Sequence, residues 1–224
     1  MTLGIHRADW FPYVAPFGVF VLFLLLGPNL GLGVWEFPIR AGVLALVLYY
    51  CSRQVIDWRT PSWVGSILMG AAVFALWVGP DLLWPGYRQH WLFTNSIMGK
   101  VSSSLPAGFQ MDTMVLVFRT IRAVILVPII EELFWRAWLM RWLIQPDFLG
   151  IPLGTYQISS FLITAALFAA EHGPYWEVGL LTGFVYNWWM IRTKSLGDCI
   201  LAHAVTNGCL SVYVIWGGHW EYWL

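Results

Sequence analysis

Apolar residues run through this chain in blocks that cover every side of a helix rather than one face. The blocks are residues 14–34, 38–55, 63–84, 114–143, 158–172, 176–191 and 196–216. A helix needs about 20 such residues to cross the roughly 30 Å hydrocarbon core of a bilayer. The pattern therefore predicts an all-α, polytopic transmembrane helix bundle of about seven spans, six to eight. Between the third and fourth blocks, residues 85–111 mix Gly, Pro and Ser with scattered apolar positions. This stretch reads as a long loop with an interfacial helix around 91–98. The first block has no small-residue cleavage site after it and reads as a retained span, not a signal peptide. No repeat or compositional break is visible, so residues 1–224 read as a single integral membrane domain.

Composition agrees with the pattern. Of 224 residues, 59% are hydrophobic and 11% charged, whereas a soluble domain carries about a quarter charged residues. The 16 tryptophans and 14 phenylalanines suit membrane interfaces. Twelve basic and twelve acidic residues balance, and no basic stripe suggests nucleic acid as a partner; the lipid bilayer is the partner the composition implies. Cys51, Cys199 and Cys209 lie in apolar blocks without metal-type spacing and read as small buried hydrophobes. Basic residues divide six (Arg7, Arg53, Arg59, Arg141, Arg192, Lys194) against five (Arg40, Arg88, Lys100, Arg119, Arg122) between the two sides, which leans the N-terminus towards the cytoplasm.

The fourth block breaks the apolar rule. In PIIEELFWRAWLMRWL, residues 128–143, two carboxylates and an arginine interrupt hydrocarbon. Arg122 and Arg141 are 19 residues apart, about 28 Å along a helix, so both can snorkel to opposite interfaces. Glu131 and Glu132 then fall near the bilayer centre, where a carboxylate costs at least about 2.5–3.5 kcal/mol. Pro128 should bend the helix and free a carbonyl. Glu132 and Arg136, spaced i, i+4, share a face and can pair. Glu131 points about 100° away and needs another partner.

Two later blocks offer candidates. His172 ends the fifth, one turn after Phe168, and His203 and Asn207 lie i, i+4 on the last. Helix bundles build sites by pointing such groups inward from facing helices. Each also has a plain structural reading: an ion pair at Glu132–Arg136, a packing histidine at His172, an interhelical clamp at His203–Asn207. Glu171 reads as a helix-end residue in water. His6, His90 and His219, near the termini or in the loop, receive no role. Gly179, Gly183 and the alanines at 165, 166, 169 and 170 allow close helix approach.

In order and spacing, Glu131-Glu132-x-x-x-Arg136, Phe168-x-x-x-His172 and His203-x-x-x-Asn207 resemble the three motifs of the CAAX prenyl protease and bacteriocin-processing family, which includes the type II CAAX endopeptidases, or glutamate intramembrane proteases. The resemblance covers about residues 114–216. The aromatic EELFWRAWLMRW form also resembles the exosortase-associated CAAX protease-related subgroup. The resemblance implies a membrane-embedded endopeptidase in a bacterial inner membrane. Its substrate would be a membrane-associated protein or peptide, lipidated or not. It also implies roles: Glu131 and His172 activate water, His203 and Asn207 hold the oxyanion, and Glu132 and Arg136 orient the site. A desolvated carboxylate is a better base than one in water, and His203 and Asn207 carry usable N–H donors. The scheme needs no cofactor and no metal. The same side chains are nonetheless ordinary zinc ligands, so a zinc-dependent variant stays open although HExxH is absent. Two readings from other classes also stand: a non-catalytic scaffold or immunity-type partner, and a proton or ion carrier. A carrier should string titratable groups across several spans, whereas here they gather at one level.

Overall fold

A computed structural model describes residues 9–223, so His6 and Arg7 lie outside the described residues. Among the described residues seven helices longer than two turns form and no strand does. They are α1 (Phe11–Leu26), α2 (Gly33–Ser52), α3 (Trp63–Leu83), α4 (Thr113–Trp142), α5 (Ile158–Ala170), α6 (Trp176–Thr193) and α7 (Leu196–Gly217). By length and composition α2, α3, α4 and α7 can each cross a membrane, while α1 and α5 are apolar but shorter. This is an all-α membrane helix bundle. Its outward side chains are apolar, among them Leu25, Leu46, Leu68, Leu162, Leu167 and Val212, an arrangement suited to lipid and not to water. Exposed tryptophans sit at or near helix ends, at positions 35, 58, 63, 84 and 216, where interfacial aromatics belong.

Local chemistry sets the helix ends. The Asp112 side chain accepts from the Val115 amide at 3.0 Å and caps α4, satisfying one of the donors that a helix start leaves open. Ser195 caps α7 in the same way, through the Asp198 amide at 3.1 Å. The first helix stops at Leu26, earlier than the predicted 34, and tightens into a 3-10 turn over Gly27–Asn29; Gly31 and Gly33 then take positive φ (+64° and +55°) and turn the chain, a conformation that glycine adopts without steric cost. Helix α5 stops at Ala170, so His172 sits in the turn that follows.

Helix α7 is the hub, packing against α3, α4 and α6, while α5 lies along α6. A side-chain carbon at Gly70 would stand 2.3 Å from the Ala202 carbonyl oxygen, so α3 and α7 meet backbone to backbone. Thr206 fixes the register by donating to the Gly70 carbonyl at 2.8 Å. Asp198 ties the start of α7 to α3, accepting from the Ser62 amide and the Ser66 hydroxyl.

Three expectations are corrected. Residues 91–98 form turns, not an interfacial helix. Asn95 donates to the Trp91 carbonyl and accepts from the amides of Ile97 and Met98, and such side-chain bonds compete with helix formation. The loop is pinned to the bundle instead. Arg88 is buried and bonds Asp81, Glu177 and the Pro174 carbonyl, and Ser104 donates twice to the Trp223 carbonyl. Second, Arg122 and Arg141 do not reach outward; both are buried. Arg141 bonds the carbonyls of Ala137 and Ile151. Third, Cys199 is buried but Cys51 and Cys209 are half-exposed, and all three are free thiols.

Helix α4 is not uniform. Its backbone widens to an i→i+5 pattern over Arg122–Leu126 and again over Leu133–Leu139. Such widened turns are rare and favour functional positions. The first lies just before Pro128, which has no N–H to give. There Val127 donates to the carbonyl of Arg122, five residues back. In that register the next acceptor, the Ala123 carbonyl, would need a proton from position 128. Asn207 on α7 supplies it instead, its Nδ2 donating to Ala123 at 2.8 Å. The freed carbonyl that Pro128 forecasts is thus the point where α7 is fastened to α4.

Candidate active site

The acidic doublet ends the regular stretch between the two widened turns of α4, and both carboxylates are buried. Glu132 Oε1 accepts from His203 Nδ1 at 2.8 Å and from Arg136 Nη1 at 3.1 Å. Arg136 Nε continues the chain to Asn187 Oδ1 at 3.2 Å, and Asn187 Nδ2 ends it on the Phe161 carbonyl at 2.9 Å. One buried network therefore links α7, α4, α6 and α5. The guanidinium of Arg136 also lies 4.5 Å from the Phe168 ring centre and 5.4 Å from that of Tyr186, an arrangement in which ring quadrupoles stabilise the cation.

His172 is held by backbone. Its amide bonds Ala169, which leaves the Phe168 carbonyl for the ring, and Nδ1 stands 2.7 Å from that oxygen. A carbonyl only accepts, so Nδ1 bears the hydrogen and the neutral ring offers Nε2 as its lone pair. Phe168 packs against the same ring at 4.7 Å, and Trp77 meets it edge-on at 5.3 Å. Trp77 is itself fixed by donating to Thr182 at 2.9 Å.

Glu131, His172, His203 and Asn207 all line one cavity of about 170 Å³, together with Trp77, Tyr186 and, at its far end, Arg119 and Arg122. The structure thus brings four of the six predicted residues onto one space. The other two, Glu132 and Arg136, stand behind it as the support of His203. Both glutamates have a buried Oε2 with no hydrogen-bond partner among the described residues; Glu131 differs in that, unlike Glu132 Oε1, neither of its oxygens accepts a bond there. Glu171 is exposed at the end of α5, as its sequence position suggests, and accepts from Trp135 Nε1 at 3.2 Å. Among the described residues no three His, Cys, Asp or Glu side chains gather as metal ligands.

Sequence reasoning passed over Asn187 and Tyr186. Asn187 is a carboxamide in an apolar helix, the same signal that singled out Asn207. Tyr186 packs on His203 at 5.4 Å and bonds Thr206 at 2.7 Å, but an aromatic in an aromatic-rich span gives no warning of its own. The small residues do act as spacers. A side-chain carbon at Gly183 would lie 2.9 Å from Ala165 Cα, and one at Gly179 3.2 Å from His172 Nδ1.

A bundle with a lipid-type exterior and an acid, two imidazoles and a carboxamide around an internal chamber is a membrane-type helix bundle with a polar internal site. Residues 113–209, which carry all three motifs, match the family model described as type II CAAX prenyl endopeptidase Rce1-like. Helices α1 to α3 precede the match, and the match does not extend to the exosortase-associated subgroup. The family implies a CAAX-type intramembrane protease and a membrane-associated peptide substrate. No curated protein and no solved structure matches the chain.

Proposed function

We propose that this protein is an intramembrane endopeptidase that hydrolyses a peptide bond of a membrane-associated protein or peptide, with water activated by Glu131 and His172. The observation that carries the reading is the chamber itself. It is lined by Glu131, whose Oε2 is unpaired among the described residues, and by His172, whose bond to Phe168 leaves Nε2 as an acceptor. A water between these groups gives up its proton as it attacks the carbonyl carbon, and that proton is later delivered to the leaving amine.

The oxyanion falls to α7. Asn207 has spent one N–H on Ala123 and keeps a second. His203 places Nδ1 on Glu132, so its Nε2 donates only when the ring is the imidazolium. Glu132 Oε1 is shared by His203 and Arg136, which fixes the ring that faces the chamber. Preorganised donors of this kind are worth roughly 10²- to 10³-fold in rate each.

A scaffold reading has its own support, since Asn207 and the His203–Glu132–Arg136–Asn187 network also hold helices together. The two readings part at Glu131 and His172. Comparing membrane proteomes of cells carrying wild-type protein and Glu131→Gln should reveal at least one uncleaved precursor in the mutant. Identical proteomes, with both proteins expressed at equal level, would favour the scaffold.

A further inference from the structure

The turn that carries His172 is gripped by a residue far from it in sequence. Arg88 precedes all three motifs and is 6% exposed. Its Nη1 donates to the Pro174 carbonyl at 3.1 Å and to Glu177 Oε1 at 2.7 Å, and its Nε donates to Asp81 Oδ2 at 2.7 Å. Its Cζ lies 3.9 Å from the centre of the Tyr175 ring, close enough for the ring quadrupole to hold the cation. Nη2 has no partner among the described residues, so the grip acts through Nε, Nη1 and the flat face of the group.

These contacts reach His172 by two routes. The first is the chain itself. Pro174 and Tyr175 follow His172 in one tight turn, closed by the Tyr175 amide on the His172 carbonyl at 3.0 Å. Proline fixes its own φ, which leaves few free torsions between a carbonyl held at position 174 and the His172 ring. The second route is a stack of rings. Tyr175, beside the guanidinium, stacks on Trp77 at 5.7 Å, and Trp77 meets His172 edge-on at 5.3 Å.

Charge makes the grip necessary. Asp81 shares α3 with Trp77, whereas Glu177 lies in the first turn of α6, the helix that follows His172. Arg88 therefore bolts the helix bearing Trp77 to the helix that continues the His172 turn. Without the guanidinium, two carboxylates would meet across that junction with their counter-charge gone, and like charges resist sharing a site. The same bolt touches the chamber wall, since Asp81 Oδ2 also accepts from the Tyr222 hydroxyl at 2.7 Å and Tyr222 lines the chamber.

We infer that Arg88 is a positioning residue for His172: it holds the turn in which Nδ1 stays on the Phe168 carbonyl and Nε2 is left for the chamber. The consequence for catalysis rests on the peptidase reading, but the placement of the ring is tested without turnover.

The test uses the full chain in phosphatidylcholine nanodiscs with ¹⁵N-labelled histidine side chains. His172→Gln and His203→Gln identify the two sets of ring signals by their loss. In the wild type, His172 should show one neutral tautomer, with the hydrogen on Nδ1. Arg88→Lys keeps a positive charge for Asp81 and Glu177 but lacks the fork and the flat face. In that variant a second His172 tautomer should appear at about a tenth of the population or more, while the His203 signals stay in place. His172 signals unchanged in both Arg88→Lys and Arg88→Met overturn the inference. Should Arg88→Met disturb both histidines, the lysine variant decides: a change confined to His172 supports the positioning role, and any other result overturns it. Cells carrying Arg88→Lys should also accumulate the precursor that Glu131→Gln leaves uncleaved. Normal processing beside a disturbed His172 ring overturns the role in the reaction. If Glu131→Gln leaves no precursor, the peptidase reading fails, and the ring signals still judge the placement.

Discussion

Asn207 on α7 donates its side-chain amide to the Ala123 carbonyl on α4 at 2.8 Å, the acceptor left unserved because position 128 is proline. Of the two sequence readings of Asn207, oxyanion donor and interhelical clamp, the second is thus present in the fold, and the two duties separate by mutation. Asn207→Ala strands a buried carbonyl, which costs about 1–3 kcal/mol, and removes an oxyanion donor, which costs roughly 10²- to 10³-fold in turnover. Pro128→Ala restores an N–H that can serve Ala123. In that background Asn207→Ala should lose less than half as much stability, measured by thermal unfolding in detergent, while turnover stays depressed. Recovery of both together would leave Asn207 with no part in the reaction.

The adjacent glutamates should behave as opposites. Glu132 accepts from two cationic or imidazole donors and is fully buried, so Glu132→Ala abandons Arg136 without its counter-charge. Loss of one partner of a buried pair typically costs about 3–5 kcal/mol, and unfolding should move accordingly. Glu131 Oε2 has no described partner, so Glu131→Gln should leave the unfolding temperature unchanged or slightly raised while abolishing turnover. A Glu131→Gln protein that unfolds early would mean that this carboxylate holds the bundle together.

The contrast between these residues also marks what could be read from sequence. Apolar blocks announced the helices because a membrane span must satisfy its own backbone, and isolated polar groups in those blocks stood out against their cost. The same reasoning reached Glu131, Glu132, Arg136, His172, His203 and Asn207, and would have reached Asn187 had it been applied to α6. It could not reach the widened turns of α4, because a shift from i→i+4 to i→i+5 bonding leaves no compositional trace. Pro128 forecast a free carbonyl but not its partner 84 residues on. Arg122 and Arg141 misled for a related reason. Spacing gives their height along the helix, not their direction, and buried acceptors such as the Ala137 and Ile151 carbonyls were invisible until the helices met.

Helix spacing around His172 offers a graded test. Gly183→Ala would force a methyl to 2.9 Å from Ala165 Cα, against backbone that cannot rotate away. Overpacking of this kind costs about 1–3 kcal/mol, so the unfolding temperature should fall. Gly179→Ala meets His172 Nδ1 at 3.2 Å, the nitrogen that donates to Phe168. Its effect should fall on kcat more than on stability, because the ring must turn and Nε2 moves with it. Equal losses in both variants would indicate that the two glycines only space the helices.

Metal dependence follows from how the donors are already used. His203 Nδ1 is spent on Glu132 and His172 Nδ1 on the Phe168 carbonyl, which leaves one nitrogen on each ring. These two nitrogens and Glu131 do not assemble into a ligand group among the described residues, whereas a catalytic zinc takes three protein ligands at about 2.0–2.2 Å. Turnover should therefore stay within about twofold after dialysis against EDTA and 1,10-phenanthroline. A loss that zinc restores would require α5 and α7 to move His172 and His203 onto a common ion, and would replace water activation by Glu131 with activation on a metal.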